Sequence, residues 1–128
     1  MPSLNATDGY GVLVLRLGVA VLFLWFGFSQ VLSPEQWVSW VPAWAISLSH
    51  LDAGTIVLLN GGFELVGGVF LAFGIFTRIA ALLLGLHLLV IVFDIGYGAI
   101  AVRDLAIAIS SLALSLFMPD EWTLDKTL

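Results

Sequence analysis

Four long apolar runs decide what this chain can fold into: Gly11 to about Leu32, Thr55 to Phe76, Ile79 to Ile95 and Ala101 to Met118. A helix rises about 1.5 Å per residue and needs about 20 residues, in a range of about 17–25, to cross the roughly 30 Å hydrocarbon core of a bilayer. All four runs fall in that range. With no water at depth to pair backbone polar groups, a crossing segment is a helix or part of a closed barrel. None of the runs alternates polar and apolar residues over the ~10 positions of a barrel strand. The expected fold is an all-α integral membrane protein: one domain over residues 1–128, an up-down bundle of four transmembrane helices.

Composition supports this solvent. Hydrophobic residues make up 61% of the chain and charged residues 10%, with a mean hydropathy of +1.12, whereas a soluble domain carries about 25% charged residues. A net charge of −5 excludes nucleic acid as a partner, which requires a basic footprint. Cysteine is absent, so the chain has no dithiol chemistry of its own. Met1 to Tyr10 carries no basic residue and the first apolar run is too long for an h-region, so no cleavable signal peptide is expected.

The connections Thr77-Arg78 and Gly96-Tyr97-Gly98 are short, which makes consecutive spans antiparallel neighbours. Residues 33–54 differ. Ser33-Pro34-Glu35-Gln36 reads as a helix start, with Ser33 as N-cap and proline at the first helical position. Trp37, Trp40 and Trp44 follow at helical spacing, interrupted by Pro42. Tryptophan favours the headgroup level, so this segment is expected as short interfacial helices covering one end of the bundle. Membrane anchoring is the favoured role for the three tryptophans, over a cofactor box. The termini and the Thr77-Arg78 turn then share one side with Arg78 and Lys126, against Arg103 on the other. The positive-inside rule places both termini in the cytoplasm of a cell-membrane protein.

Ionisable residues at membrane depth are functional candidates. Counting about 1.5 Å per residue places Arg16 about 8 Å and His87 about 12 Å from the terminal face, with Glu64 near the midplane. An intramembrane cluster of Arg16, Glu64 and His87 is expected, with Glu64 as counter-ion to Arg16. A second cluster, nearer the Trp-rich face, comprises Asn60, Asp94, Arg103 and Asp104. Each has a plainer reading: a register-fixing ion pair for Arg16 and Glu64, a hydrogen-bonded interior histidine for His87, and interfacial solvation for Asp94, Arg103 and Asp104. No metal site is expected, since His87 has no second intramembrane histidine beside it. Gly61-Gly62, Gly67-Gly68 and Gly74, with Ala81 and Gly85, are small residues that let helices approach closely.

The run Glu64-Leu65-Val66-Gly67-Gly68-Val69-Phe70-Leu71-Ala72-Phe73-Gly74-Ile75-Phe76-Thr77-Arg78 resembles the signature of the DoxX family. Leu15-Arg16-Leu17-Gly18, Phe23 to Gln30, and Arg103-Asp104 at the start of the last run are similar to the same family. The resemblance implies a small four-helix membrane protein linked to redox systems, with Arg16, Glu64, Arg78, Arg103 and Asp104 as family-like polar positions and Thr77-Arg78 as the motif turn. The leading expectation is an accessory or structural subunit of a quinone- or electron-transfer-linked membrane complex, not catalytic on its own. In it, Arg16 or His87 donates to a quinone carbonyl and Glu64 relays protons. No covalently bound cofactor is expected, and the partners are the lipid bilayer with other membrane subunits or further copies of the chain. The alternatives are a small transporter or proton conductor using Glu64 and His87, and a membrane assembly factor.

Overall fold

The computed structural model describes residues 6–96 and 98–126. Five α-helices follow in order: α1 (Ala6–Leu32), α2 (Ala43–Ser49), α3 (Ala53–Phe73), α4 (Thr77–Ile95) and α5 (Ala99–Leu116). Among the described residues there is no strand. α1 and α3–α5 are long and apolar enough to span a bilayer, which gives a four-helix membrane protein. Their outward faces carry exposed Val14, Val21, Val66, Phe93, Val102 and Ile109. Such a belt is at home only where the solvent is lipid.

Helix ends explain where the runs differ from their expected limits. Asp52 caps α3, its Oδ1 accepting from Thr55 N at 2.9 Å. These bonds hold the Asp52 carboxyl below the usual carboxylate range. α3 closes on Gly74 at φ 72°, whose N–H returns to the carbonyls of Leu71 and Phe70, the left-handed ending that glycine favours. Thr77 and Arg78 are consequently not the turn that was expected. The turn is Gly74-Ile75-Phe76, and Thr77-Arg78 opens α4. The α4 start is capped from afar: Asp125 accepts from Phe76 N (2.7 Å), Thr77 N (2.9 Å) and Thr77 Oγ1 (2.6 Å). Burial raises the Asp125 carboxyl, but these hydrogen bonds outweigh it and leave it below its ordinary value. At the other connection, Gly96 and Gly98 bound the bend, and Tyr97 lies outside the described residues.

The segment after α1 is two 3₁₀ turns, Pro34–Gln36 and Val38–Trp40, then α2. Ser33 precedes the first turn, but its side chain makes no cap bond, which corrects its expected role. The backbone itself closes this corner, with Ser33 N reaching Ser29 O and Gln36 N reaching Ser33 O.

α1 packs along α3, and α4 along α5, more extensively than α3 packs on α4. Small residues set the first contact. A Cβ on Gly27 would lie 2.8 Å from Gly61 O, and one on Gly61 would lie 2.8 Å from Gln30 Cβ. Gly85 meets Leu112 in the same way across α4 and α5, where Ser111 Oγ also donates to Ala81 O at 2.7 Å. Of the expected small residues, Gly61, Gly67, Gly68 and Gly85 are thus spent on contacts inside the bundle, whereas Gly62 meets nothing within 4 Å. The apolar core, including Val19, Phe23, Leu71, Leu84, Ala108 and Leu114, fills the half nearer the termini. The half nearer the Trp-rich segment is left to a cavity.

Candidate functional site

That cavity measures about 540 Å³ and is lined by all four spans and by the segment that follows α1. Trp25, Trp37, Trp40 and Trp44 form much of its wall, with Phe23 and Phe26. Trp37 Nε1 donates to Ser29 Oγ at 3.0 Å, and Trp44 Nε1 to Asp94 Oδ1 at 3.0 Å. The tryptophans expected as anchors therefore also enclose a site.

At its floor lies Glu64, 4% exposed. Both carboxyl oxygens are held by amide donors: Gln30 Nε2 reaches Oε2 at 3.0 Å and Asn60 Nδ2 reaches Oε1 at 3.1 Å. Asn60 Nδ2 also donates to Gln30 Oε1 at 2.6 Å, and Gln30 Nε2 to Phe26 O at 3.1 Å. The two amides thus use all four of their N–H bonds on one carboxyl and its support. A side chain in a helix leans toward the helix N-terminus, which brings Glu64 toward Asn60 and the Trp-rich face. His87, from α4, completes the floor. Its Nε2 is buried, makes no hydrogen bond, and stands 3.7 Å from Glu64 Oε1. The ring of Phe63 lies 4.8 Å from the imidazole. Higher in the cavity, Arg103 pairs with Asp104 at 3.1 Å and lies 5.9 Å over the Phe26 ring.

Arg16 is not part of this group, which corrects the expected Arg16–Glu64–His87 cluster. Its Nε and Nη2 donate to Asp120 Oδ2 and Oδ1 at 2.8 and 3.2 Å, and its Nη1 to the carbonyls of Leu71 and Ala72, each at 2.8 Å. Those carbonyls lie at the end of α3, where acceptors outnumber backbone donors. Leu71 O also accepts from Gly74 N at 3.2 Å, and the guanidinium closes the end where the helix dipole is negative. Glu64 lies two turns, about 10 Å, further along α3, beyond reach of a guanidinium held at its end. Asn60 in turn belongs with Glu64, and the rest of the second cluster shares the Glu64 cavity. Arg78 lies outside it, its Nε donating to Ser115 O at 2.9 Å. Sequence reasoning missed Gln30 and Asp120 as partners. Gln30 was visible as an amide inside an apolar run, but Asp120 sits in a polar tail with nothing in the sequence to direct it to Arg16. Among the described residues no group of three or more His, Asp or Glu side chains converges as a metal site.

Fold and site together define a four-span helical membrane protein with a polar-floored aromatic cavity in one half of the bundle. The family model described as DoxX matches residues 11–96 of the 128, and the chain belongs to the DoxX family. The match takes in Arg16, Glu64, Thr77-Arg78 and His87, and ends before Arg103-Asp104. No curated protein and no solved structure matches the chain.

Proposed function

We propose that the protein is an accessory subunit of a membrane redox complex and that its cavity holds a quinone headgroup. The observation that carries the reading is the unpartnered Nε2 of His87, buried beside Glu64 on a residue that lines the aromatic chamber. A buried polar nitrogen without a partner is unfavourable by about 1–3 kcal/mol, and a carbonyl oxygen supplies the acceptor it lacks. Ligand pockets of this kind are concave and mostly apolar, about 300–1,000 Å³, with a few convergent polar groups. A bound quinone would supply carbonyl acceptors and the capacity to take up electrons and protons together. His87 would donate to its oxygen. Glu64, fixed by Gln30 and Asn60, would hold a proton within exchange distance of His87. Arg16 has no part in this, because its donors are engaged elsewhere.

Conduction is the weaker reading. The polar groups run from Asp94 and Arg103 down to Glu64 and His87. Beyond them come the apolar Leu71 and Leu84, and the buried Arg16 on the far side has its donors held by Asp120 and by backbone carbonyls. Arg78 and Lys126 against Arg103 support a reading with the termini on the cytoplasmic side of the cell membrane and the chamber in the opposite half. Since the chain has no cysteine, a single Ser47→Cys reports this: labelling from outside by an impermeant thiol reagent is expected, and labelling only after lysis contradicts it. The subunit reading is tested by gentle purification from native membranes. Stoichiometric recovery with a haem- or flavin-bearing polypeptide is expected; a colourless protein recovered alone would refute it.

A further inference from the structure

The chamber has a neighbour. An open groove of about 480 Å³ runs under α2 along α3, and it shares Trp44, Ala45, Ile56, Asn60 and His87 with the chamber. Beyond those shared residues its wall is Leu48, Ser49, Leu51, Leu59 and Phe63, almost wholly apolar. His87 is the hinge between the two spaces: its Nε2 stands beside Glu64 on the chamber side, and its ring meets Phe63, which lines only the groove. The roof is lightly held. α2 buries none of its residues, and its start and end are set by Pro42 and by His50 at φ 59°.

We infer that chamber and groove are one bipartite site for a tailed amphiphile, with the ring-shaped head against His87 in the chamber and an apolar tail lying in the groove toward lipid. This rests on the quinone reading for the head and adds the class of ligand: one with a long apolar substituent on the ring. Polarity is divided as such a molecule requires. Glu64, Asp94, Arg103 and Asp104 line only the chamber, whereas Leu48, Leu51, Leu59 and Phe63 line only the groove. Lipid is as apolar as these leucines, so the groove gives the tail no hydrophobic driving force. Its contribution is fit: an exit that lets the head seat fully while the tail stays in hydrocarbon.

The test fills the groove without touching the chamber. Leu48 and Leu59 are exposed, at 77% and 61%, so Leu48→Trp and Leu59→Trp add bulk where no packed core is disturbed. Calorimetric titration in lipid nanodiscs compares a decyl-substituted benzoquinone with the same ring lacking the decyl chain. Val102→Trp, on a lipid-facing surface that borders neither space, is the control. The two groove variants are expected to weaken the decyl ligand about tenfold or more and to leave the short ligand and the control unchanged. Short-ligand binding with no effect of either groove variant on the decyl form, or an equal loss for both ligands, overturns the bipartite site while the quinone reading stands. If neither ligand binds the unmodified protein, the quinone reading fails and this inference fails with it.

Discussion

The bundle holds two buried polar groups of opposite character. At the terminal end, Arg16 spends its Nε, Nη1 and Nη2 on Asp120, Leu71 O and Ala72 O, and Asp125 closes the start of α4. Tyr10 and Trp122 stack over the same end at 5.2 Å. At the other end, Glu64 is equally well supplied with donors, yet His87 beside it keeps a buried nitrogen with no partner. The first group is satisfied within the chain and holds the fold. The second leaves one buried nitrogen unspent, and the proposed ligand is what would complete it. Membrane depth alone is therefore a poor guide to function; the count of unspent hydrogen bonds separates the two ends.

The largest expected break is at the satisfied end. Arg16→Ala leaves Asp120 buried with no countercharge, and removal of one member of a buried pair destabilises by about 3–5 kcal/mol. Unfolding in detergent should show that loss, and Arg16→Met with Asp120→Leu should recover part of it. Next is the helix contact that supports the cavity. Gly61→Ala drives a methyl to 2.8 Å from Gln30 Cβ, an overpacking of about 1–3 kcal/mol, which also displaces a donor of Glu64. Gly62→Ala, with nothing within 4 Å, should be neutral in the same assay.

Asp125 gives a smaller effect with a definite sign. Its carboxyl is held below its unfolded value, so its contribution is complete above the ordinary aspartate pKa of about 3.9 and is lost as pH falls through the lower folded value. Asp125→Asn should remove that acid-side loss of thermal stability and make stability flatter below about pH 4. The smallest effect on stability is expected at His87. Its Nε2 makes no hydrogen bond, so His87→Leu should leave stability unchanged or slightly raised, against the loss expected for Arg16.

The spans were legible because a bilayer leaves the backbone few options, and the runs ending at Leu32 and Ile95 match α1 and α4 there. Glu64 and His87 were legible as intramembrane polar residues, and their proximity followed from depth. The Arg16 partner was not, since depth counting cannot see a tail folding back over the terminal end. Nor could the sequence show that Thr77-Arg78 begins a helix, because the cap is Asp125, nearly fifty residues away. Local signals place elements well, while long-range polar pairing depends on tertiary packing.

The central claim is that the unspent nitrogen of His87 marks the binding end of the molecule. It is tested most directly by titrating short-chain benzoquinone into the nanodisc-reconstituted protein and its His87→Leu and Asp120→Asn forms, each first shown to be folded by circular dichroism. Saturable binding that disappears in His87→Leu and persists in Asp120→Asn is the expected result. Binding that is equal in the unmodified and His87→Leu proteins would contradict it.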